Sequence, residues 1–216
     1  MRITNSGGVA FEDLTARARI RDAALRYFTE CGFAKATIRD IARAAGVSPG
    51  LVRHHFGSKE ELARACDAYV RDALRTYLEH AVTDDGLSDP KTLREARDPL
   101  LPFGRYLARA LIDDTGGAGE IFDEMVAVTE QALRKADEHR SDRPAADPRT
   151  RAAVMVAMEL GIPAFQSHIS RSIGADASSP EGDRRIVLAL LDITTHPPIS
   201  GDGADALRRG MDQSDA

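Results

Sequence analysis

Cysteine is scarce: among 216 residues only Cys31 and Cys66 occur, which excludes a disulfide-stapled scaffold. Both fall on the apolar side of expected helices and read as small core residues with free thiols; their spacing does not call for a redox pair. The six histidines are scattered apart from the adjacent His54 and His55, so no zinc spacing arises and no metal is expected. No uncharged apolar run is long enough to cross a bilayer, so no membrane association is expected. The first residues, MRITNSGGVAFEDL, lack a basic stretch followed by an apolar one; a signal peptide is not expected, and the natural location is the cytoplasm. Gly116-Gly117-Ala118-Gly119 lacks the Lys-Ser/Thr ending of a phosphate loop, and no nucleophile elbow occurs. These absences argue against an enzyme, and no cofactor is expected. A catalytic site assembled from distant residues stays open. So does its companion alternative, a helical protein that does no more than bind a small ligand.

Charge is present in quantity and unevenly placed. The whole chain has 29 Lys+Arg against 34 Asp+Glu, a net of −5, which argues against a protein coated in nucleic acid. Within residues 14–59, however, nine basic residues face three acidic ones, a net of +6 that leaves −11 on the remainder. A basic module on an acidic body is the asymmetry expected when one end meets phosphates and the other does not. Alone, such a cluster is also what a solvated face looks like.

Hydrophobic residues make up 43% of the chain, enough for a core, and their periodicity is helical throughout. Neither β alternation nor an internal repeat is visible. Residues 1–14, with Gly7 and Gly8, read as a disordered arm. From Thr15 to Cys31 the positions Ile20, Ala24, Tyr27, Phe28 and Cys31 form one stripe, stopped by Gly32. Thr37, three residues before Asp40, opens a short helix with Ile38, Ile41 and Ala42 on one side and Gly46 after it. Ser48-Pro49 supplies an N-cap and a proline at N1 for a second short helix to His55, with Val47, Val52 and Phe56 inward. Ser58-Lys59-Glu60-Glu61 is a capping box, opening a long helix to about Val82. Thr83–Pro90 reads as a loop. Helices are expected over Lys91–Arg97, Leu100–Asp113 and Glu120–Glu138, and the polar stretch His139–Pro148 as an exposed connection. Two apolar segments follow, Arg149–Ile173, with a kink expected at Pro163, and Arg184–Thr195. The second is apolar nearly all round and needs cover on its outer face, for which a second subunit is the expected partner. Residues 199–216 read as a mobile tail. The expected division is 15–57 for the module with the two short helices and 58–198 for an all-α body.

Two short helices joined by Ala45-Gly46-Val47 have helix-turn-helix proportions. The stretch TIRDIARAAGVSPGLVRHHFGSKEEL resembles the N-terminal domain of the TetR/AcrR family of bacterial repressors, in its Gly-Val-Ser turn, its His-His-Phe helix end and its Ser-Lys-Glu-Glu-Leu start. The likeness covers about Ile20–Leu62; beyond it only the helical architecture corresponds.

The resemblance implies an all-α chain with an N-terminal three-helix DNA-binding domain and a larger ligand-binding and dimerising domain. It further implies a regulator, a repressor released from a palindromic DNA operator by an unknown small-molecule effector. Its subunits would pair as a homodimer through the two apolar segments, 149–173 and 184–195. The helix from Ser48 would read DNA, with Pro49, Gly50, Leu51, Arg53 and His54 toward base edges or the adjoining backbone. Thr37, Arg39, His55 and Lys59 would meet phosphates, and Arg17 and Arg19 would reach the neighbouring backbone. Arg53 stands where tyrosine is usual in the family; it suits guanine O6 and N7 or a phosphate, and both readings stay open. Candidate effector contacts are Phe103, Tyr106, Phe122, Met125, Met158, Glu159 and Phe165, each of which except the acid also reads as simple core. Glu159, an acid in an apolar run, suits a cationic ligand or an arginine partner such as Arg171.

Overall fold

The computed structural model describes residues 6–81, 101–115, 117–139, 141, 144–196 and 198–214. Every regular element among them is helical: α1 (Ser6–Cys31), α2 (Ile38–Ala45), α3 (Pro49–Phe56), α4 (Lys59–Ala81), α5 (Leu101–Ile112), α6 (Ala118–Asp137), α7 (Pro148–Ala164), α8 (Gln166–Ile173), α9 (Pro180–Thr195) and α10 (Gly201–Ser214). The expected loop over 83–90 and helix over 91–97 lie outside the described residues. No single helix among those described is long and apolar enough to cross a membrane, and they hold no cluster of metal-ligating side chains.

The chain divides into two compact units, residues 1–164 and 165–216. That differs from a division at 57/58, because α1 packs on α4 and α5 as well as on α2 and α3. One core therefore runs from the short helices into the body: Ile20, Phe28, Ile41, Val52, Leu62, Cys66, Val70, Tyr106, Leu107, Ile121 and Val156 are all buried in it. Alanines at 24, 42, 110 and 152 let the helices cross closely. Cys66 follows expectation, and burial pushes its thiol well above the usual range. Cys31 does not: it ends α1 on the exposed side, while Gly32 beside it is the buried residue.

At both ends the helices run further than the sequence reading placed them. Helix α1 starts at Ser6 rather than at 15, since Val9–Leu14 contains no breaker and extending an existing helix costs far less than starting one. The tail is helical from Gly201 to Ser214, where Ser200 accepts the Gly203 amide at 3.2 Å and Ala204, Leu207 and Met211 keep helical spacing. The apolar segment 149–173 is interrupted as well. Pro163 is accommodated inside α7, and the break falls two residues later at Phe165 (φ −102°, ψ 18°).

Asp67 is the one buried charged residue among those described, 2% exposed on α4. Its Oδ1 accepts the Tyr106 hydroxyl of α5 at 2.7 Å, and its Oδ2 accepts the Gly117 amide at the start of α6 at 3.2 Å. Gly117 permits this approach, because a Cβ there would sit 2.8 Å from Oδ2. One turn on, Arg71 pairs with Glu120 at 2.7 Å, and a further turn on, Arg75 pairs with Glu124 at 2.8 Å. Polar contacts thus recur over three successive turns of α4 along α6.

In the second unit, α8 ends at Gly174 (φ 66°), Ser170 accepts the Ala177 amide at 2.9 Å, and Arg185 donates to the Ile173 carbonyl at 3.2 Å, which pins the α8–α9 turn. Ser179 caps α9 by accepting the Gly182 amide at 3.1 Å, and Pro180 follows at N1.

Burial raises the Asp67 pKa, with the Tyr106 and Gly117 hydrogen bonds opposing it. A carboxyl whose folded pKa exceeds its unfolded value stabilises fully below the unfolded value, and that contribution is lost as pH rises through the folded one. Asp67→Ala is therefore expected to cost about 3 kcal/mol by stranding two donors. Asp67→Asn keeps an acceptor for the Gly117 amide and turns its NH2 toward the Tyr106 oxygen, reversing that bond, and should lose ground to the wild type as pH falls from neutral toward 4, the ordinary carboxylate value being about 3.9. Urea unfolding across that range measures both.

Candidate nucleic-acid interface

The two short helices are punctuated by their own side chains. Thr37 is extended (φ −114°, ψ 149°), and its hydroxyl oxygen accepts the Asp40 amide at 3.2 Å, as an N-cap should. At the other end Gly46 is left-handed (φ 65°, ψ 39°). Its amide donates to the Arg43 carbonyl at 3.2 Å, and the Val47 amide to the Ala42 carbonyl at 3.0 Å. This pair of bonds is the Schellman closure, and it turns the chain sharply into the next helix. Ser48 then accepts the Leu51 amide at 3.2 Å, with Pro49 at N1. The Ser58–Glu61 capping box is formed both ways, the Ser58 amide donating to Glu61 at 2.8 Å and the Glu61 amide to Ser58 at 3.1 Å.

Packing sets the angle between the helices. Ile41, Ala42 and Ala45 of α2 and Val52 and Phe56 of α3 are buried, so α3 is anchored by the residues at 52 and 56. Its other face looks outward: Ser48, Pro49, Gly50, Arg53 and His54 are exposed, and Leu51 and His55 are half-buried. Thr37 and Arg39 at the start of α2 are exposed as well. Asp40 pairs with Arg43 at 3.1 Å, and the side chains of Arg39 and Arg53 make no ion pair or hydrogen bond among the described residues. Nine of the ten residues expected at the DNA surface thus lie on, or at the edge of, one capped pair of helices.

Lys59 is placed differently. Its ammonium lies 4.3 Å from the Phe33 ring centroid and 3.4 Å from the Ala34 carbonyl oxygen. Arg17 is also engaged within the protein: its Nη1 donates to the His55 carbonyl at 3.0 Å, and its guanidinium lies 4.6 Å from the Phe56 ring centroid. Arg21 stacks 3.5 Å over Tyr69. Counting charge along the chain did not reveal these aromatic seats, since each partner is a residue distant in sequence; Arg19 remains exposed.

The connection to the body is polar. Against a desolvation that pushes it up, Asp113 is held below the usual carboxylate range by Arg109, bonded to both its oxygens at 3.1 Å, and by the Phe33 amide at 2.8 Å. Gly32 (φ 79°) lies directly under this pair, where a Cβ would collide with the Arg109 guanidinium.

The expected effector contacts are dispersed. Tyr106 is committed to Asp67 within the core, and Phe103 meets Tyr69 edge-on at 5.6 Å. Phe122 and Met125 pack on the core from α6. Met158 is 60% exposed, and Glu159 is exposed too, because the phase of α7 turns Ala152, Val156 and Leu160 inward and carries 158 and 159 outward. Phe165 opens the second unit, 61% exposed. A cleft of about 210 Å³, solvent mouth included, lies among Phe28, Phe33, Ala63, Tyr106, Arg109 and Asp113; of the seven expected residues it holds Tyr106.

Residues 20–66 match the family described as bacterial regulatory proteins, tetR family, and residues 95–199 match the tetracyclin repressor-like C-terminal domain. The HTH-type transcriptional regulatory protein RaaS of Mycobacterium tuberculosis is 38% identical over 143 residues, 65% of this chain and 66% of that protein. The HTH-type transcriptional repressor Rv3405c of the same organism is 41% identical over 96 residues, 44% of this chain and 46% of that one. The chain thus spans between about half and just under two thirds of the length of the curated relatives it matches. A TetR transcriptional regulator from Legionella pneumophila has the same fold, with a TM-score of 0.57 at 16% identity over 88% of this chain and 99% of that one.

Gly46→Ala meets no atom within 4 Å, so its cost should come from the left-handed backbone alone, about 1–2 kcal/mol. Ser48→Ala should cost about 1 kcal/mol through the lost cap. The urea midpoint of each variant measures these losses.

Proposed function

The chain belongs to the tetR family of bacterial regulatory proteins, and from that premise we propose that it binds a palindromic DNA operator as a homodimer and represses transcription until a small molecule releases it. Membership sets it among transcriptional regulators rather than enzymes. The observation that carries the reading is the outward face of α3. Ser48, Pro49, Gly50, Arg53 and His54 stand in solvent while Val52 and Phe56 anchor the same helix from behind. A helix so mounted presents its N-terminal residues to a major groove, with Thr37 and Arg39 placed for the flanking phosphates. Leu51 offers an apolar contact to a thymine methyl, and His55 and Lys59 lie at the rim.

Dimerisation is supported by apolar surface on two helices. On α7, Val154, Met155 and Met158 are exposed; on α9, Leu188, Leu190, Leu191 and Ile193 are. Residues of this kind in such numbers mark a contact surface. For the effector, the interior candidates are Phe103, Tyr106, Phe122 and Met125, with Met158, Glu159 and Phe165 as outer ones. A ligand acts here only through its differential affinity for the DNA-bound and released states.

Fluorescence anisotropy with duplex from upstream of the protein's own gene tests the reading between about 50 and 200 mM salt, where specific binding should weaken steeply. No affinity for any duplex would refute it. Arg53→Ala should relax the preference at one base pair per half-site, at about 1–3 kcal/mol, whereas Arg39→Ala should weaken all duplexes alike. Sedimentation tests the dimer: Leu191→Glu should shift the wild-type dimer toward monomer, and an unchanged distribution would remove α9 from the interface.

A further inference from the structure

Arg17 joins α1 to the reading helix, and its geometry is that of a clamp. The last carbonyls of any helix lie beyond its own hydrogen-bond ladder, and one of those of α3, at His55, is met by Arg17 of α1. Arg17 donates Nη1 to one of them, His55, at 3.0 Å, and sets its guanidinium 4.6 Å from the ring centroid of Phe56, the residue that seats α3 in the core. A fixed cation at a helix C-terminus also complements the helix dipole. Helix α3 has only eight residues and packs on α1, α2 and α4. Its N-terminal end is held by Ser48 and its middle by Val52, and its C-terminal end is held from outside by Arg17.

We propose that Arg17 is a positioning residue for DNA reading: it fixes the orientation of α3 through the His55 carbonyl and the Phe56 ring, and does not itself neutralise a phosphate. The proposal rests on the DNA-binding reading above. Reach matters to it as well as planarity: Nη1 lies one bond beyond the point that a lysine ammonium reaches from the same position, so an ammonium there falls short of the His55 carbonyl, although Lys59 serves a ring and a carbonyl from its own seat. Lysine would therefore restore a phosphate contact but not the clamp.

Operator affinity and affinity for a scrambled duplex are measured for the wild type, Arg17→Ala and Arg17→Lys as salt is varied, with amide hydrogen exchange of residues 52–56 followed in the free proteins. Both variants should lose about tenfold on the operator, as for a hydrogen bond to a charged group. They should be nearly unchanged on the scrambled duplex, keep the wild-type salt slope, and exchange faster at 52–56. A salt slope shallower by about 0.9, with equal loss on both duplexes and rescue by lysine, overturns the proposal in favour of a phosphate contact. Wild-type affinity in both variants overturns it too. If Arg17→Ala fails to fold, Arg17→Lys decides by the same criteria. Unchanged exchange at 52–56 refutes the clamp whatever the duplex data show. Failure of the wild type to bind any DNA, with faster exchange in the variants, refutes the DNA reading and leaves the clamp as a structural contact.

Discussion

A carboxyl group taken out of water must be satisfied by its neighbours or neutralised, and Asp67 makes that demand where α4, α5 and α6 meet. It is answered by a hydroxyl from α5 and an amide from α6, and the approach is possible because position 117 carries no side chain. Three helices are thereby located by one group on the long helix that also begins at the capping box after the reading module. Burial of hydrocarbon is less selective about sliding and rotation than directed bonds to a buried carboxylate are. The body owes its cohesion to the apolar core and its register to Asp67.

The reading module is held by a similar division of labour. Val52 and Phe56 supply attraction, and caps at Thr37, Ser48 and Ser58 fix where each helix starts. Cations over aromatic rings then fasten the edges: Arg17 on Phe56, Lys59 on Phe33, Arg21 on Tyr69. The module is continuous with the body through the core and through Arg109 and Asp113 beneath the Phe33 amide. That continuity is why the chain clusters as one unit to Ala164 rather than as a small domain and a large one.

Features determined within four or five residues were legible from the chain alone. The capping box, the Gly46 turn and the Ser48-Pro49 start are of this kind, and each is found where it was expected. The same Ser-Pro signal stands at 179–180 and opens α9 four residues before the apolar run that drew notice. Features depending on helical phase were harder to read. A shift of one residue separates buried Leu160 from exposed Glu159, and an apolar neighbourhood in sequence gave no warning of it. Contacts between distant residues were not legible at all, although Asp67 had a local sign: it shares a helical stripe with Ala63 and Val70, both buried. At the ends, 6–14 and 201–214, the glycines drew the sequence reading away from the helix formers around them.

The ion pairs between α4 and α6 have a mechanical consequence. Arg71 and Arg75 are four residues apart, as are Glu120 and Glu124, so the two helices carry matching teeth with a pitch of one turn, about 5.4 Å. A whole-turn step would re-engage one arginine with the other glutamate, while a fractional step would disengage both and strip Asp67 of the Gly117 amide. Any sliding of α4 along α6 would therefore break both pairs and re-form one of them only after a full turn.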